Sequence, residues 1–406
     1  VAAEDVTRGA EPRPVVIVGP TAGGKSALAV ALAARLAAAG QPRPEVVSAD
    51  SMQVYRHLDA GTAKPTPGQR AAVRHHLVDV VEPTERFTVA DWLARAETAI
   101  GAMRGRGTRP IVVGGTNLYV KALLEGLFEG PPVDPDVRAR LERLWDERGE
   151  AEVRARLARA DPQAVVGGTN LDVKALLEGL FDGPEADASF RKSLEKVSDT
   201  FLHERLAAVD AAAAARIAVA DRRRAIRALE VYHLTGRPLS EQQKEWEAEP
   251  RAYRYDPVLV GLRWPVAAIN GRINLRVKAM FYPEKVEAAV AAAVLSGGPG
   301  GESLPDEVRR LDAAGLLPAG SQAAEALGYK QVLAWLHRDE PNARYADRQI
   351  RSLEDAFERT KVLTRRFAKQ QRTWLKRYRG VRWLEAEGAD AEALAEQAAE
   401  AVLAAA

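Results

Sequence analysis

The chain has 406 residues, 47% of them apolar and 28% charged, with a formal net charge of +2. Such a length is comfortable for two domains, and such a composition can bury a core. No Cys occurs and no stretch approaches the roughly 20 apolar residues of a membrane span, which excludes disulfides, thiolate metal centres, cysteine nucleophiles and a spanning helix. Val1 to Pro14 is polar and carries no apolar signal-peptide core, so a cytoplasmic protein is expected.

The first element is a strand, Val15-Val16-Ile17-Val18, followed by Gly19-Pro20-Thr21-Ala22-Gly23-Gly24-Lys25-Ser26 and a helical pattern from Ser26 to Ala39. Strand, glycine-containing loop, Lys-Ser and helix together form a phosphate-cradling P-loop in its proper context. Backbone N–H groups of Gly19 to Ser26 and the positive end of the helix face an oligophosphate. Lys25 adds a point charge, and the Ser26 hydroxyl is the usual ligand of Mg2+, the expected cofactor. The loop implies a diphosphate or triphosphate without saying which.

Next comes Glu45-Val46-Val47-Ser48-Ala49-Asp50, a short strand ending in polar residues. Strand C-terminal ends line the ligand crevice of a parallel α/β sheet, so Asp50 and Ser51 are expected beside the P-loop. Gly61 to Pro65 reads as a loop, His76 to Val81 as a third strand, Val89 to Met103 as a helix, and Pro110 to Val113 as a fourth strand running into Gly114-Gly115-Thr116. This alternation predicts an α/β fold with a P-loop NTPase-like parallel sheet. Helical composition then takes over, and strand character returns at Pro257 to Leu262. The simplest organisation is a core over 1–118, an inserted helical domain over 119–250, and core continuation with C-terminal helices over 251–406. Arg272, opening a helix that returns to the core, is a weaker candidate for phosphate contact.

Val113 to Phe128 recurs as Val166 to Phe181, with Tyr119 replaced by Asp172. The first copy follows a full strand and belongs in the sheet on this reading. The second, with Thr169 and Arg191, is additional helical-domain mass. Nine Lys or Arg and no acidic residue fall between Thr360 and Trp383. Within that stretch Lys361, Arg365, Arg366, Lys369 and Arg372 make a stripe at helical spacing, suited to RNA phosphates or to a solvated surface.

The ordered series Gly19 to Ser26, Ser48 to Tyr55, Gly61 to Pro65, His75 to Asp79, Val113 to Tyr119, Arg224 to Val231, Ala326 to Lys330 and Thr364 to Trp374 resembles the bacterial tRNA dimethylallyltransferase family. The resemblance runs from about Pro14 to Trp383. It implies transfer of a dimethylallyl group from its diphosphate to N6 of adenine 37, beside the tRNA anticodon. The P-loop would then hold the donor's diphosphate, with Asp50 as general base and Ser51, Met52 and Gln53 at the target base. Thr116 and Arg138 would help hold the diphosphate and the RNA. Arg223, Arg224 and Arg227, together with Glu325, Gly328, Tyr329 and Lys330, would approach tRNA. A monomer is expected. Two other readings share the P-loop: an isopentenyltransferase acting on free AMP or ADP, and a P-loop nucleotide kinase.

The chemistry asks for these residue types. A departing diphosphate gathers negative charge, which fixed N–H donors and cations stabilise. The adenine amine needs a carboxylate within reach to orient it and take its proton. Taken alone, Asp50 also suits a magnesium ligand or helix cap, Thr116 a helix cap, and Arg138 a solvated face.

Overall fold

The computed structural model describes residues 11–126, 190, 193–194, 197–241, 253–295, 302–340, 347 and 349–405. Arg138, the second repeat copy with Thr169, and Arg191 lie outside them, as does the Arg223 side chain. The chain divides into two compact units, Val1–Gly126 with Tyr253–Ala406, and Leu127–Ala252.

In the first unit the order is β1 (Val15–Val18), α1 (Lys25–Ala38), β2 (Glu45–Ser48), α2 (Pro67–Ala72), β3 (His75–His76), α3 (Val89–Gly105), β4 (Pro110–Val113) and α4 (Asn117–Glu125). Helix α4, which a boundary at 118 would cut, lies whole within this unit. The second unit contributes α5 (Asp199–Val209), α6 (Ala211–Ala214) and α7 (Arg222–Thr235). The first unit then resumes with β5 (Val258–Arg263), α8 (Val266–Phe281), α9 (Ala288–Leu295), α10 (Leu304–Ala313), α11 (Tyr329–Leu336), α12 (Leu353–Leu375), β6 (Arg382–Glu385) and α13 (Ala391–Ala404).

Among the described residues the strands form one parallel sheet, ordered β3-β2-β4-β1-β5-β6. β1 and β4 are buried along their whole length, as central parallel strands must be, which explains their unbroken apolar sequence. Alternate residues Val15, Ile17, Ile111, Val113, Val258 and Val260 join a core with Leu28, Leu32 and Leu36 of α1 and Leu394, Ala398 and Val402 of α13. Helix α3 lies by β2 and β4. Its Trp92 donates to the Ser48 carbonyl at 2.8 Å and stacks on Tyr119 of α4 with ring centroids 4.7 Å apart. No helix among the described residues is long and apolar enough to cross a membrane.

Two strand assignments need correction. The expected third strand, His76 to Val81, is only the two-residue β3. Leu77 and Asp79 adopt φ of +61° and +57°, which no strand tolerates. Asp79 turns in to the buried ammonium of Lys64 at 2.5 Å, and only a bridge between Tyr55 and Val81 continues the pairing. Strand β6 went unread because it follows a basic helix and carries a single buried residue, Leu384.

Within the second unit Leu202, Leu206, Ala213, Ala225, Ala228 and Leu229 form a small core. The buried carboxylate of Asp210 caps α6 through the Ala213 N–H at 2.9 Å and accepts from the Ser240 N–H at 2.8 Å.

Candidate active site

Three strand ends bring the candidate residues together. β1 runs into the P-loop, β2 into Asp50, and β4 into Gly114-Gly115-Thr116. The last two interlock through backbone bonds, with Ala49 donating to the Val113 carbonyl at 2.8 Å and Thr116 donating to the Ala49 carbonyl at 3.1 Å. Gly114 permits that approach, because a Cβ there would sit 2.0 Å from the Ala49 oxygen.

The P-loop closes through the Gly23 N–H to Pro20 carbonyl bond at 3.1 Å, with Ala22 at φ +60° and Gly24 at φ +88°. Late residues hold it from outside. The Trp264 indole N–H donates to the Gly23 carbonyl at 3.1 Å, and Arg272 Nε donates to the Ala22 carbonyl at 2.9 Å. The Arg272 guanidinium also lies 4.9 Å from the Trp264 ring centroid. Thr21 donates its N–H to Gln371 Oε1 at 2.7 Å. With those two loop carbonyls held by Trp264 and Arg272, the loop keeps the arrangement an anion requires.

Lys25 donates to the Pro20 carbonyl at 2.8 Å. Burial, reinforced by Arg276 and opposed by Asp50, lowers its pKa to about 8. Arg276 is the functional candidate that the sequence reading missed. It makes no hydrogen bond or ion pair among the described residues, and burial lowers its pKa while Asp50 raises it. The missed signal was its i,i+4 relation to Arg272 on α8, which puts both guanidinium groups on one helix face.

Asp50 is fixed by its own turn. Its Oδ1 accepts from the N–H groups of Met52 at 2.9 Å and Gln53 at 3.4 Å, and Oδ2 makes no hydrogen bond among the described residues. Thr116 Oγ1 accepts from the Ser51 N–H at 2.9 Å and donates to Ser51 Oγ at 3.2 Å, so the hydroxyl does not cap α4. Gln53 is committed within the protein. Its Nε2 donates to the Thr62 and Ala63 carbonyls at 3.3 and 3.2 Å, and its Oε1 accepts from the Ser48 hydroxyl at 3.0 Å.

The segment from Glu325 to Lys330 mostly faces inward. Tyr329, expected at RNA, is wholly buried and donates to Glu307 at 2.5 Å, a correction that follows from Gly61 opposite it. A Cβ on Gly61 would meet the Tyr329 ring at 2.3 Å. Gly328 sits at φ +93° just before α11. Glu307 also accepts from the N–H groups of Asp59 and Ala60, so α10 and α11 grip the loop that follows Asp50. Glu325 and Lys330 pair with each other near the surface at 2.5 Å.

On α12, Arg366 and Lys369 are exposed and unpaired among the described residues, whereas Arg365 donates to Asn274 Oδ1 at 3.2 Å. In the second unit Arg224 is exposed and pairs with Asp221 at 3.2 Å, while Arg227 is tied to the buried Glu230 at 2.6 Å. Ser26 enters α1 with a hydroxyl that makes no hydrogen bond among the described residues. No cluster of three metal-binding side chains occurs among those residues. The Ser26 hydroxyl suits Mg2+, which takes one or two protein oxygens and fills its octahedron with phosphate and water.

Comparison with known proteins gives a consistent picture. Residues 53–165, 163–293 and 300–378 match the family described as IPP transferase, and the first break falls just before the second repeat copy. A tRNA dimethylallyltransferase of Anaeromyxobacter sp. (strain K) is 39% identical over 96% of this chain and 97% of its own. That of Syntrophobacter fumaroxidans is 37% identical over 92% of this chain and 84% of its own. Of solved structures, the tRNA isopentenylpyrophosphate transferase of Bacillus halodurans matches with a TM-score of 0.54 and 29% identity, covering 97% of each chain. The Staphylococcus epidermidis enzyme of the same type gives 0.56 and 26%, covering 97% of this chain and all of that one.

Proposed function

The chain belongs to the IPP transferase family, and from that premise we propose that it transfers a dimethylallyl group from dimethylallyl diphosphate to N6 of adenine 37 in the anticodon loop of tRNA. One observation carries the reading: a P-loop and an aspartate, one oxygen of which makes no hydrogen bond among the described residues, emerge from strands of one sheet, with Lys25, Arg276 and Asp50 within electrostatic reach of one another.

In the reaction the bond between the allylic carbon and the diphosphate oxygen breaks as the bond from that carbon to N6 forms. Negative charge grows on the leaving diphosphate, facing the P-loop N–H groups, Lys25, Arg272 and Arg276. Thr116 completes this set in the proposal. Asp50 Oδ2 receives the N6 proton while Oδ1 stays bound to the turn, so the base is aimed before substrate arrives. The residues suited to hold Mg2+ are Ser26 and the substrate's own oxygens, and the ion would supply additional charge for the leaving group.

Adenine must leave its stack to reach Asp50, and a single-stranded loop makes that step least costly. Ser51 and Met52 meet the base in this reading, while the exposed cations of α12 offer phosphate contacts to the stem. The protein acts as a monomer in this reading.

Incubation with dimethylallyl diphosphate and unmodified tRNA is expected to yield prenylated adenosine, detected by nucleoside mass spectrometry. Transfer to AMP in preference to tRNA, or ATP turnover without use of the allylic donor, would overturn the assignment.

A further inference from the structure

Gln371 occupies a place that the reaction scheme leaves unexplained. It lies on the buried face of α12, with 2% of its surface exposed, between two of the strand-end turns. Its Oε1 accepts the Thr21 N–H of the P-loop at 2.7 Å, and its Nε2 donates to the Gly115 carbonyl at 2.8 Å. The orientation of the amide is fixed by its partners, since a backbone N–H only donates and a carbonyl only accepts. A carboxylate in this place lacks the donor, an ammonium lacks the acceptor, and an aliphatic side chain lacks both.

We propose that Gln371 is a positioning residue that sets the distance between the leaving-group cradle and the proton acceptor. One end fixes the loop that would receive the diphosphate. The other fixes the residue preceding Thr116, whose hydroxyl holds Ser51 beside Asp50. Asp50 Oδ2 itself lies 3.9 Å from the point where a Cβ on Gly115 would stand. Gln371 thus spans both halves of the reaction centre while touching neither reacting group. A displacement of about 1 Å between such halves is enough to lower a rate by about 10²-fold. The glycine at 115 is part of the device, because a Cβ there would meet Gln371 Nε2 at 2.8 Å and push the amide away.

The inference rests on the prenyl-transfer reading, so the test first asks whether the wild-type protein binds dimethylallyl diphosphate by calorimetry and modifies tRNA. Failure there sinks that reading and this one with it. If it succeeds, kcat, the KM for tRNA and Tm are measured for Gln371→Leu, Gly115→Ala and the double variant. Expected is a fall in kcat of about 10²-fold for Gln371→Leu, with the KM for tRNA at its wild-type value. Gly115→Ala should lose kcat by the same route, and the double variant should be no slower than Gln371→Leu alone. Losses that multiply in the double variant would overturn the proposal. So would a Gln371→Leu protein with lowered Tm and wild-type kcat, which would mark the residue as structural only. Should Gln371→Leu not fold, Gly115→Ala alone decides: wild-type kcat in that variant refutes the proposal, and a reduced kcat with unchanged tRNA KM sustains it.

Discussion

Residues 11–126 and 253–405 share one compact unit and divide the work of its candidate site unequally. The earlier region supplies the groups that would meet substrate: the P-loop, Asp50, Ser51 and Thr116, all at the ends of parallel strands. The later one supplies chiefly the side chains that hold those groups. Trp264 and Arg272 bind P-loop carbonyls, Gln371 binds a P-loop N–H and the Gly115 carbonyl, and Glu307 with Tyr329 binds the backbone of the loop after Asp50. Substrate-facing parts are therefore local in sequence, and the parts that fix their geometry are remote. Arg272 and Arg276 cross the division in the proposed reaction, as late residues facing the anion.

The comparison breaks hardest at Asp50. Asp50→Asn keeps an acceptor for the N–H groups of Met52 and Gln53 and removes the basic oxygen. Transfer is expected to fall by about 10²–10⁴-fold, the range for loss of a general base. Calorimetry should find the affinity for dimethylallyl diphosphate at its wild-type value. A parallel loss of donor affinity would move Asp50 from proton acceptor to metal site.

A late residue should respond in the opposite way. Glu307→Ala leaves the N–H groups of Asp59 and Ala60 and the Tyr329 hydroxyl without their buried acceptor. The expected cost is about 3 kcal/mol of stability in urea unfolding, with donor affinity retained. The wild-type carboxyl has its pKa raised above the usual 4.5 by burial, so the native state holds its proton where the unfolded chain has released it. Stability from this group is full below 4.5 and is lost as pH rises through the raised value. Glu307→Gln, neutral at every pH, should lack that slope.

Legibility in the sequence follows the same division. The β1–loop–α1 unit could be read because an apolar run, glycines and Lys-Ser are consecutive. Asp50 could be placed because strand ends in a parallel sheet converge. Gln371 lies inside the Thr364 to Trp374 motif, but its positioning contacts could not be read, since its partners are 350 and 256 residues away and its neighbours on α12 are basic. The strand expected over His76 to Val81 failed for a long-range reason too: alternation in the local sequence was overridden when Asp79 turned toward Lys64. Tyr329 read as a surface residue because the glycine that makes room for it, Gly61, lies far upstream.

Lys25 gives a more graded test of the early region. An anion binds the charged form of the lysine, so from neutral pH, where the donor is fully ionised, up to about 8, the pKa of Lys25, donor affinity should stay level. Above it, the dissociation constant should rise by about tenfold per pH unit as a proton must be taken up on binding. Calorimetry in buffers of different ionisation enthalpy measures that uptake directly. Lys25→Met should bind weakly and without this dependence.

The smallest effects belong to the exposed face of α12. Arg366 and Lys369 are unpaired among the described residues, so their neutralisation disturbs no ion pair there, whereas Arg365 also fastens α8 through Asn274. Removing one cation that neutralises an RNA phosphate should flatten the dependence of log K on log salt by about 0.7–0.9. Arg366→Gln with Lys369→Gln is accordingly expected to raise the KM for tRNA several-fold at low salt and less at high salt, with kcat at saturating tRNA unchanged. Arg365→Gln should add a fall in Tm, because it loosens one late helix from another. A fall in kcat from the Arg366 and Lys369 pair would mean that the outer face of α12 does more than hold RNA, and that the helix passes its position to the P-loop through Gln371.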